Sequence, residues 1–317
     1  MLALTTTGDD DLLRVTEVPD PEPGATEVLV RVETTSLNRG EVSRTKSSPA
    51  GQQVGWDVCG IVERVAQGGV GPPAGTRVAG LVDNRAWAEL VAVPVDYLTA
   101  VPEGVTPAQA ACMPLAGMTA FRALALGGFP VGKSVLITGA SGGVGHLAVQ
   151  LARAAQMTVT GLIRNPEMNV AAAAACYHVV RNIREAQGPY DHILDGVGGE
   201  VLTHCLDAVA PGGTVVSYAS TLMEPAALGP RWFGAHIGAT VRSMLIFVEL
   251  RHTQSATSDL RSLFALTAAG LLKPHIDVEA DWTRGGELAR DLLARKVTGK
   301  VVLNIGRPAS PSPLREQ

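Results

Sequence analysis

The sequence contains little cysteine, and its four cysteines lie far apart. They form no C-x-x-C pair and no closely spaced framework, which excludes a small disulfide-stapled fold. Isolated cysteines of this kind are usually buried, small apolar residues in a reducing compartment. A cytoplasmic location is therefore expected. The four are Cys59, Cys112, Cys176 and Cys205.

Basic clusters and long apolar runs are also missing. The net charge is −4 and no long basic run occurs, so a nucleic-acid partner is not expected. No apolar run reaches the length of a bilayer span, and the first residues resemble no secretory signal, so no membrane partner is expected. With 46% apolar and 18% charged residues the chain can bury a large core, and a length of 317 residues favours two domains.

A glycine-rich loop at residues 139–145 is the most informative stretch of the chain. An apolar run of the buried-strand kind leads into it, and the apolar residues from Val144 onward recur at helical spacing. This succession of strand, glycine turn and helix is the arrangement that binds a pyrophosphate. The glycines let the backbone approach the phosphates, and the N-terminus of the helix faces their charge. The residues expected to bind it are Ser141, Gly142, Gly143, Val144 and Gly145.

The loop reads A-x-G-G-x-G rather than G-x-G-x-x-G, so the pattern needs support from its context. A second apolar run at residues 157–163 provides that support, because the two runs and the helix between them make a βαβ unit of the expected length. The alternative is a structural strand–helix turn that binds nothing.

The end of the second run bears on which dinucleotide binds. NAD-binding proteins usually have an acidic residue there, bonded to the ribose 2′-hydroxyl, whereas this chain has Arg164. A guanidinium pairs with a 2′-phosphate, which a carboxylate would repel, so NADP(H) is the predicted cofactor. Glu167 lies three residues later, so NAD(H) is the alternative cofactor. A solvated surface role is the alternative for Arg164.

The pattern of the chain changes near Thr106. Before it, short β-rich runs broken by Gly and Pro favour a compact, barrel-like domain. Thr106 and Pro107 are typical of a helix cap and first helical residue, and the strand and helix runs that alternate after them indicate a parallel sheet covered on both faces. Later candidates are a strand at 239–247, a helix at 259–272 with Leu271 on its apolar face, a helix at 287–296 with an Asp291–Arg295 pair, a strand at 300–305 and a frayed tail from Arg307.

Short blocks spread over nearly the whole chain carry a resemblance to a known family. They are residues 36–41, 55–62, 115–120, the glycine loop, 194–199, 211–214 and 298–303. Their order resembles the medium-chain dehydrogenase/reductase superfamily, and within it the zinc-free quinone oxidoreductase and enoyl reductase branch.

The resemblance implies an α/β fold in two parts. A GroES-like, β-rich catalytic domain would comprise residues 1–118 and 257–317, and a Rossmann domain with a doubly wound parallel sheet would comprise residues 119–256. The nicotinamide would lie in the cleft between them, in line with the tendency of ligands to bind at domain interfaces. Similar proteins pair through the edge of the Rossmann sheet, here residues 239–247, so a homodimer is expected.

No metal is expected at the site. Catalytic zinc needs three Cys, His or carboxylate ligands. The zinc alcohol dehydrogenases that the chain resembles use cysteine where it has Asn38 and histidine where it has Trp56, and neither side chain replaces those ligands. The four-cysteine lobe of the structural zinc site is absent too, and the seven histidines show no ligand spacing.

Hydride transfer without a metal suits an electron-poor small molecule, such as a quinone or an α,β-unsaturated carbonyl. The charge that develops on its oxygen needs a hydrogen-bond donor. By position in the family, Asn38 is the candidate catalytic residue, Asn38 and Trp56 are the candidate substrate contacts, and Thr119 is expected near the nicotinamide phosphate or ribose. The alternatives are a loop-fixing role for Asn38 and a helix-capping role for Thr119.

The sequence departs from the family in two ways. Relatives often carry a tyrosine after the Asn38 block, but residues 39–57 contain none, which leaves water, the cofactor ribose or another residue as the proton source. The lysine and tyrosine that some relatives place against the 2′-phosphate are not evident either, and Arg164 and Arg181 are expected to replace them. Two residues of the matching blocks, Asp195 and Lys300, complete the expected cofactor contacts.

Three functions remain open at this point. The first is NADPH-dependent reduction of a quinone or an activated alkene. The second is an enoyl reductase of a biosynthetic pathway that acts on a thioester. The third, motivated by the missing tyrosine, is an NADPH-binding protein with little turnover and a structural or sensing role.

Overall fold

The computed structural model describes residues 1–222, 224–230, 232–253 and 255–306, apart from the side chains of residues 168 and 170. Among these residues the chain forms two compact units. The first comprises residues 1–115, 255–268 and 276–306, and the second comprises residues 116–253 and 269–275. The tail from Arg307, which the sequence predicts to fray, lies outside the described residues.

The helices and strands follow one another in chain order. The first unit begins with β1 (Leu2–Thr6), β2 (Leu13–Glu17), β3 (Glu27–Leu37), α1 (Arg39–Thr45), β4 (Asp57–Arg64), β5 (Arg77–Leu81), β6 (Leu90–Pro94), β7 (Leu98–Ala100) and α2 (Pro107–Ala111). The second unit contains α3 (Met118–Ala125), β8 (Ser134–Ile137), α4 (Gly145–Ala154), β9 (Thr158–Leu162), α5 (Val170–Ala175), β10 (His178–Val180), β11 (Tyr190–Asp195), α6 (Gly199–Asp207), β12 (Val209–Ser217), α7 (Trp232–Ala235), β13 (Thr240–Ser243) and α8 (Ile246–Thr253). The chain then returns to the first unit with α9 (Thr257–Ala268), β14 (Ile276–Asp281), α10 (Gly285–Leu293) and β15 (Lys300–Asn304).

The main sheet of the first unit curls around the long strand β3. Its order is β14-β15-β3-β4-β5-β7, and β6 also pairs with β3. The first half of β3 pairs with β6 and its last four residues pair with β15, while β4 pairs along the opposite edge of β3. A fully buried Trp87 fills the core and donates from Nε1 to the carbonyl of Ser36 over 3.3 Å. The prediction of a β-rich first part is confirmed.

The second unit contains a parallel sheet in the order β10-β9-β8-β11-β12-β13. Its strand pairs are all parallel, and the order reverses between β8 and β11, as in doubly wound dinucleotide-binding folds. Strand β8 lies in the middle and is fully buried at Val135, Leu136 and Ile137. Buried parallel strands read as continuous apolar runs, which is why the sequence pattern predicted this sheet.

The helix predicted at residues 259–272 is shorter than expected. It spans Thr257–Ala268 and buries Leu260 and Leu263 as predicted. Gly270 adopts a positive φ of 72°, a left-handed conformation that ends a helix. Leu271 therefore lies outside the helix and is 60% exposed, so its predicted place on the apolar face is wrong.

Two other late predictions need correction. Helix α10 ends at Leu293 and Arg295 adopts a positive φ, so Asp291 pairs with Lys296 over 3.0 Å and not with Arg295. The strand predicted at residues 239–247 is reduced to β13, because the chain enters α8 at Ile246. In the part of the chain that the structure describes, no helix is long and apolar enough to cross a bilayer.

Candidate functional site

The carboxyl edge of the parallel sheet collects most of the predicted cofactor residues. The glycine loop follows β8, and Arg164, Arg181 and Asp195 lie at the carboxyl ends of β9, β10 and β11. These four strands are neighbours in the sheet. Ligands of open α/β sheets bind outside the carboxyl ends of the strands where the strand order reverses, which is the place that the loop occupies here.

The glycine loop is tight enough to exclude side chains at defined positions. Gly139 has a φ of +60°, and its carbonyl accepts from the N–H of Gly142 over 2.9 Å. A Cβ on Gly145 would lie 2.1 Å from that same carbonyl oxygen, a distance that no real contact allows. Gly145 is therefore required for the crossing of the loop over the start of α4. With glycine at 142, 143 and 145, the loop backbone can approach a pyrophosphate closely.

Helix α4 begins at the end of this loop. The N–H groups at the start of a helix carry the positive end of its dipole. Here the N–H groups of His146 and Leu147 donate to the carbonyls of Gly142 and Val144, so the donors left for a ligand are those of the loop that precedes them. Ser141, Gly143 and Val144 are half-buried and Gly142 is exposed, so the loop backbone is accessible. The residues of the loop can thus hold an anion by backbone donors alone.

Two arginines lie on neighbouring strand ends beside the loop. Arg164 follows β9 and Arg181 follows β10, and the N–H of Ile163 donates to the carbonyl of Val180 over 2.9 Å. Both side chains are exposed, and that of Arg181 forms an ion pair with Glu167. Parallel pairing therefore brings the two predicted arginines to one edge, together with the acid that made NAD(H) the alternative cofactor.

Asp195 lies beneath this edge and is fully buried. Its Oδ1 accepts from the hydroxyl of Thr138 over 2.7 Å and from the N–H of Val197 over 3.2 Å, and its Oδ2 accepts from the N–H of Gly198 over 3.0 Å. Burial raises the pKa of Asp195, while these donors act against that rise. The carboxyl group joins the turns after β8 and β11, which favours a supporting role over direct ligand contact.

Thr119 lies in the first turn of α3 and is 6% exposed. The residue at the N-cap of α3 is Gly117, and a π-helical turn at Met113–Gly117 leads into the helix without a break. The capping role considered for Thr119 is therefore wrong, because the helix has no free start there. A contact of Thr119 with the cofactor stays a prediction.

A buried polar cluster lies in the first unit, where α1, β4 and β15 begin. Its members, at most 8% exposed, are Asn38, Glu41, Asp57 and Lys300. Asn38 precedes α1, Asp57 is the first residue of β4, and Lys300 is the first residue of β15. Strand β3 brings them together because it pairs with both β4 and β15.

The hydrogen bonds of the cluster determine the orientation of the Asn38 amide. Lys300 Nζ donates to Asn38 Oδ1 over 2.5 Å and lies 3.7 Å from Asp57 Oδ2. Asn38 Nδ2 donates to Glu41 Oε1 over 2.9 Å and to Asp57 Oδ2 over 2.7 Å. Both amide protons are thereby used inside the protein. This geometry favours the loop-fixing alternative for Asn38 over direct donation to a substrate oxygen, and it directs Lys300 towards Asn38.

Glu41 differs from Asp57 in how its oxygens are satisfied. Asp57 also accepts from the Ser36 hydroxyl and, over 2.7 Å, from the N–H of Leu115. Glu41 Oε1 accepts from both nitrogens of Asn38, but its Oε2 has no hydrogen-bond partner in the described part of the chain. Burial, and then the charge of Asp57, raise the pKa of Glu41 well above its usual value. A neutral Glu41 leaves Asp57 and Lys300 as a balanced pair of charges.

Trp56 is packed against α1. It is 9% exposed, and its ring faces the guanidinium of Arg44 at 5.4 Å. A Cβ on Gly40 would lie 3.1 Å from the same ring, so the helix backbone approaches it closely. These contacts give Trp56 a packing role, and its predicted contact with substrate stays a prediction.

No group of three or more His, Cys, Asp or Glu side chains is arranged to hold a metal ion in residues 1–222, 224–230, 232–253 and 255–306. Sequence reasoning missed Glu41 and Asp57 as partners of Asn38. The available signals were Asp57 and Lys300 at the starts of apolar runs and Glu41 three residues after Asn38, since charges are rarely fully buried unless paired.

A family profile described as zinc-binding dehydrogenase matches residues 171–303. The chain is 28% identical to a mycocerosic acid synthase-like polyketide synthase of Mycobacterium tuberculosis over 96% of its own length and 15% of that protein. It is 26% identical to the chloroplastic NADPH-dependent alkenal/one oxidoreductase of Arabidopsis thaliana over 93% of its own length and 77% of that protein. The chain thus spans less than a sixth of the polyketide synthase.

The fold matches that of a solved quinone oxidoreductase. The structure of the enzyme from Coxiella burnetii superposes with a TM-score of 0.81 and 25% identity, covering 96% of this chain and 99% of that one. The β-rich unit corresponds to the GroES-like part and the parallel sheet to the Rossmann part of such proteins. In sequence and in fold the chain is therefore similar to the quinone oxidoreductase branch of the medium-chain dehydrogenase/reductase superfamily.

Proposed function

We propose that the protein is a zinc-independent reductase that transfers hydride from NADPH to a quinone or an α,β-unsaturated carbonyl compound. The observation that carries the proposal is the carboxyl edge of the parallel sheet, with the glycine loop, Arg164 and Arg181 on three adjacent strand ends. The similarity to a quinone oxidoreductase and to an NADPH-dependent alkenal/one oxidoreductase supports the acceptor class.

The choice of NADPH rests on charge at the end of β9. The residues that follow this strand include Arg164 and lack the acid that holds the ribose 2′-hydroxyl in NAD-binding proteins. Arg181 lies on the next strand end and adds a second cation, which a 2′-phosphate requires more than a hydroxyl does. The ion pair with Glu167 lowers the net charge there and works against NADPH.

The chain's own residues have three roles in this proposal. The loop from Ser141 to Gly145 binds the pyrophosphate through backbone donors, and the arginines bind the 2′-phosphate. When bound, the nicotinamide supplies the hydride, so no metal is needed to activate an electron-poor acceptor. Asn38 fixes the chain at the start of α1, where its side chain is held by Lys300, Glu41 and Asp57.

One assay series tests the proposal. Purified full-length protein is titrated with NADPH and NADH, and oxidation of each is followed with a quinone, an enone and an enoyl thioester. We expect tighter binding of NADPH and turnover with the quinone or the enone. A Gly145→Ala variant purified in parallel controls for contaminating reductases, since the added Cβ displaces its loop.

The assay also separates the alternatives. The similarity to an acryloyl-coenzyme A reductase of Sulfurisphaera tokodaii, 26% identical over 87% of this chain, favours an enoyl thioester reductase as the second candidate. Turnover with the thioester alone would identify that function. Tight NADPH binding without oxidation by any acceptor would indicate a nucleotide-binding protein with a structural or sensing role. Preference for NADH would overturn the assignment of Arg164.

The homodimer is proposed to form through β13. This strand lies at the edge of the parallel sheet, and its four residues are exposed. Exposed large apolar side chains occur on this strand and close to it in the sequence, namely Phe233, Ile237, Val241 and Leu245, which are 48–74% exposed. A second copy that pairs along this edge would cover both the backbone groups and the apolar side chains.

A reducing compartment, the cytoplasm, is proposed for the protein. The four cysteines are free thiols in the structure, and three of them are buried. Burial raises the pKa of Cys59 and of Cys112 to about 12, so these thiols stay protonated and inert.

A further inference from the structure

The imidazole of His146 connects the glycine loop to a distant part of the chain. His146 is the second residue of α4 and is 3% exposed. Its Nδ1 lies 2.8 Å from the carbonyl oxygen of Gly142, and its Nε2 lies 3.0 Å from the backbone nitrogen of His275. One buried ring therefore contacts the loop on one side and residue 275 on the other.

These two contacts determine where the ring proton lies. A backbone N–H can only donate, so Nε2 of His146 accepts from His275 and carries no proton. The proton is therefore on Nδ1, which donates it to the carbonyl of Gly142. His146 is a neutral imidazole in the tautomer that the loop requires.

Gly142 is consequently held at both ends. Its carbonyl accepts from the His146 ring and, over 3.1 Å, from the His146 backbone N–H, and its own N–H donates to the carbonyl of Gly139. The residues that follow lead into the helix: Gly143 and Val144 precede it, and Gly145 is its first residue. Their N–H groups lie ahead of the first intrahelical hydrogen bonds. The direction of these donors depends on the peptide of Gly142, because the chain continues from it directly.

The other side of the ring is anchored too. Gln150, one turn further along α4, donates to the carbonyl of Lys273 over 2.9 Å and accepts from its N–H over 2.8 Å. Residues 273–275 are thus held along α4 at two points, by Gln150 and by His146. The acceptor nitrogen of His146 therefore meets a fixed donor, and this keeps its Nδ1 aimed at the loop.

We propose that His146 is a positioning residue of the cofactor site, whose Nδ1–H holds the Gly142 carbonyl and thereby aims the next three N–H groups at the pyrophosphate. The inference rests on the proposed binding of NADPH. It assigns to His146 a role in ligand binding that acts through the peptide of Gly142.

Three variants of the full-length protein test the proposal. His146→Asn places an amide nitrogen where Nδ1 stands and keeps the donor to Gly142. His146→Gln reaches the position of Nε2 instead and keeps only the acceptor for His275. His146→Ala removes both contacts. The dissociation constants of NADPH and of 2′-AMP, which has the 2′-phosphate but no pyrophosphate, are measured together with the melting temperature of each protein without ligand.

We expect the Asn variant to bind NADPH within about threefold of wild type and the Gln and Ala variants to bind it about five- to tenfold more weakly, the loss of one net hydrogen bond. Binding of 2′-AMP should not change. Equal NADPH affinity in all three variants would overturn the role of His146 but not the proposed function. Loss of 2′-AMP binding in parallel with NADPH binding would do the same. NADPH affinity that only follows the melting temperature would do the same. Failure of the wild-type protein to bind NADPH would overturn the proposed function together with this inference.

Discussion

The ammonium nitrogen of Lys300 lies 2.5 Å from Oδ1 of Asn38 and 3.7 Å from a carboxylate oxygen of Asp57. The lysine is 1% exposed and Asp57 is fully buried, so neither charge is solvated by water. A buried ion of either sign is tolerated only with a partner and with hydrogen bonds to the remaining polar atoms. Lys300 is therefore a requirement of the fold around Asn38.

Lys300→Met should destabilise the protein strongly. The substitution keeps most of the unbranched side chain but leaves Asp57 buried without its cation, which costs about 3–5 kcal/mol in comparable buried pairs. Urea unfolding followed by circular dichroism measures the change. The control is Lys296→Met, whose exposed pair with Asp291 should contribute less than about 1 kcal/mol. Similar losses in the two variants would contradict the assignment.

Glu41→Gln should change how stability depends on pH. The raised pKa of Glu41 means that the folded protein holds a proton which the unfolded chain releases above its ordinary pKa of 4.5. The contribution of this group to stability is therefore full below pH 4.5 and is lost as the pH rises above it. A glutamine does not titrate. The melting temperature of the variant should thus improve relative to wild type between pH 4.5 and neutral pH. Parallel curves would show that Glu41 is ionised in the folded protein.

Gly145→Ala should displace the glycine loop. An added Cβ meets the carbonyl of Gly139 at 2.1 Å, and the backbone must move to relieve the overlap. Overpacking of this kind costs about 1–3 kcal/mol, and NADPH affinity should fall by at least about tenfold as the loop shifts. Gly234→Ala in α7 is the control, because a Cβ there meets no atom within 4 Å. Isothermal titration calorimetry with NADPH measures the affinity of both variants.

Arg164→Ala should weaken NADPH far more than NADH. A charge-assisted bond to the 2′-phosphate contributes about 1.5–3 kcal/mol, so NADPH affinity should fall by about tenfold or more. NADH has no 2′-phosphate, and its affinity should stay the same. Arg261→Ala, an exposed arginine of α9, is the control for a general loss of positive charge. Equal loss for both dinucleotides would refute the role of Arg164.

Val241→Arg should shift the protein from dimer to monomer. Val241 is 48% exposed on β13, and a charge placed there would have to be buried if the two sheets joined. Light scattering at micromolar concentration measures the mass. Val131→Arg is a matched control, since Val131 is 55% exposed and lies away from β13 in the sequence. A wild-type monomer would overturn the proposed interface.

Much of the second unit follows from the sequence because local patterns are sufficient there. The apolar run before Gly139 is a central strand, and the spacing from Val144 onward is a helix. Both features depend on neighbours a few residues apart. The same holds for the cap at Thr106, whose hydroxyl accepts from the N–H of Gln109 as the pattern predicts.

Predictions that depended on where an element ends were less successful. Residues 239–247 have strand character throughout, yet the strand is limited to the four residues that pair with β12. Leu271 fits the apolar face of a longer helix, but the backbone turns at Gly270. The strand or helix propensity of a residue does not predict where a pairing partner ends or where a turn interrupts the element.

The sequence by itself determined the two-part α/β architecture, the glycine loop and the basic residues at the strand ends, since each follows from composition and short-range periodicity. Only the tertiary structure decided which buried groups meet. Lys300 reaches Asn38 across 262 positions, and His146 reaches residue 275 across 129. Such contacts arise from strand register and from segments packed along helices. Their energies depend on burial and hydrogen-bond geometry, which no local pattern encodes.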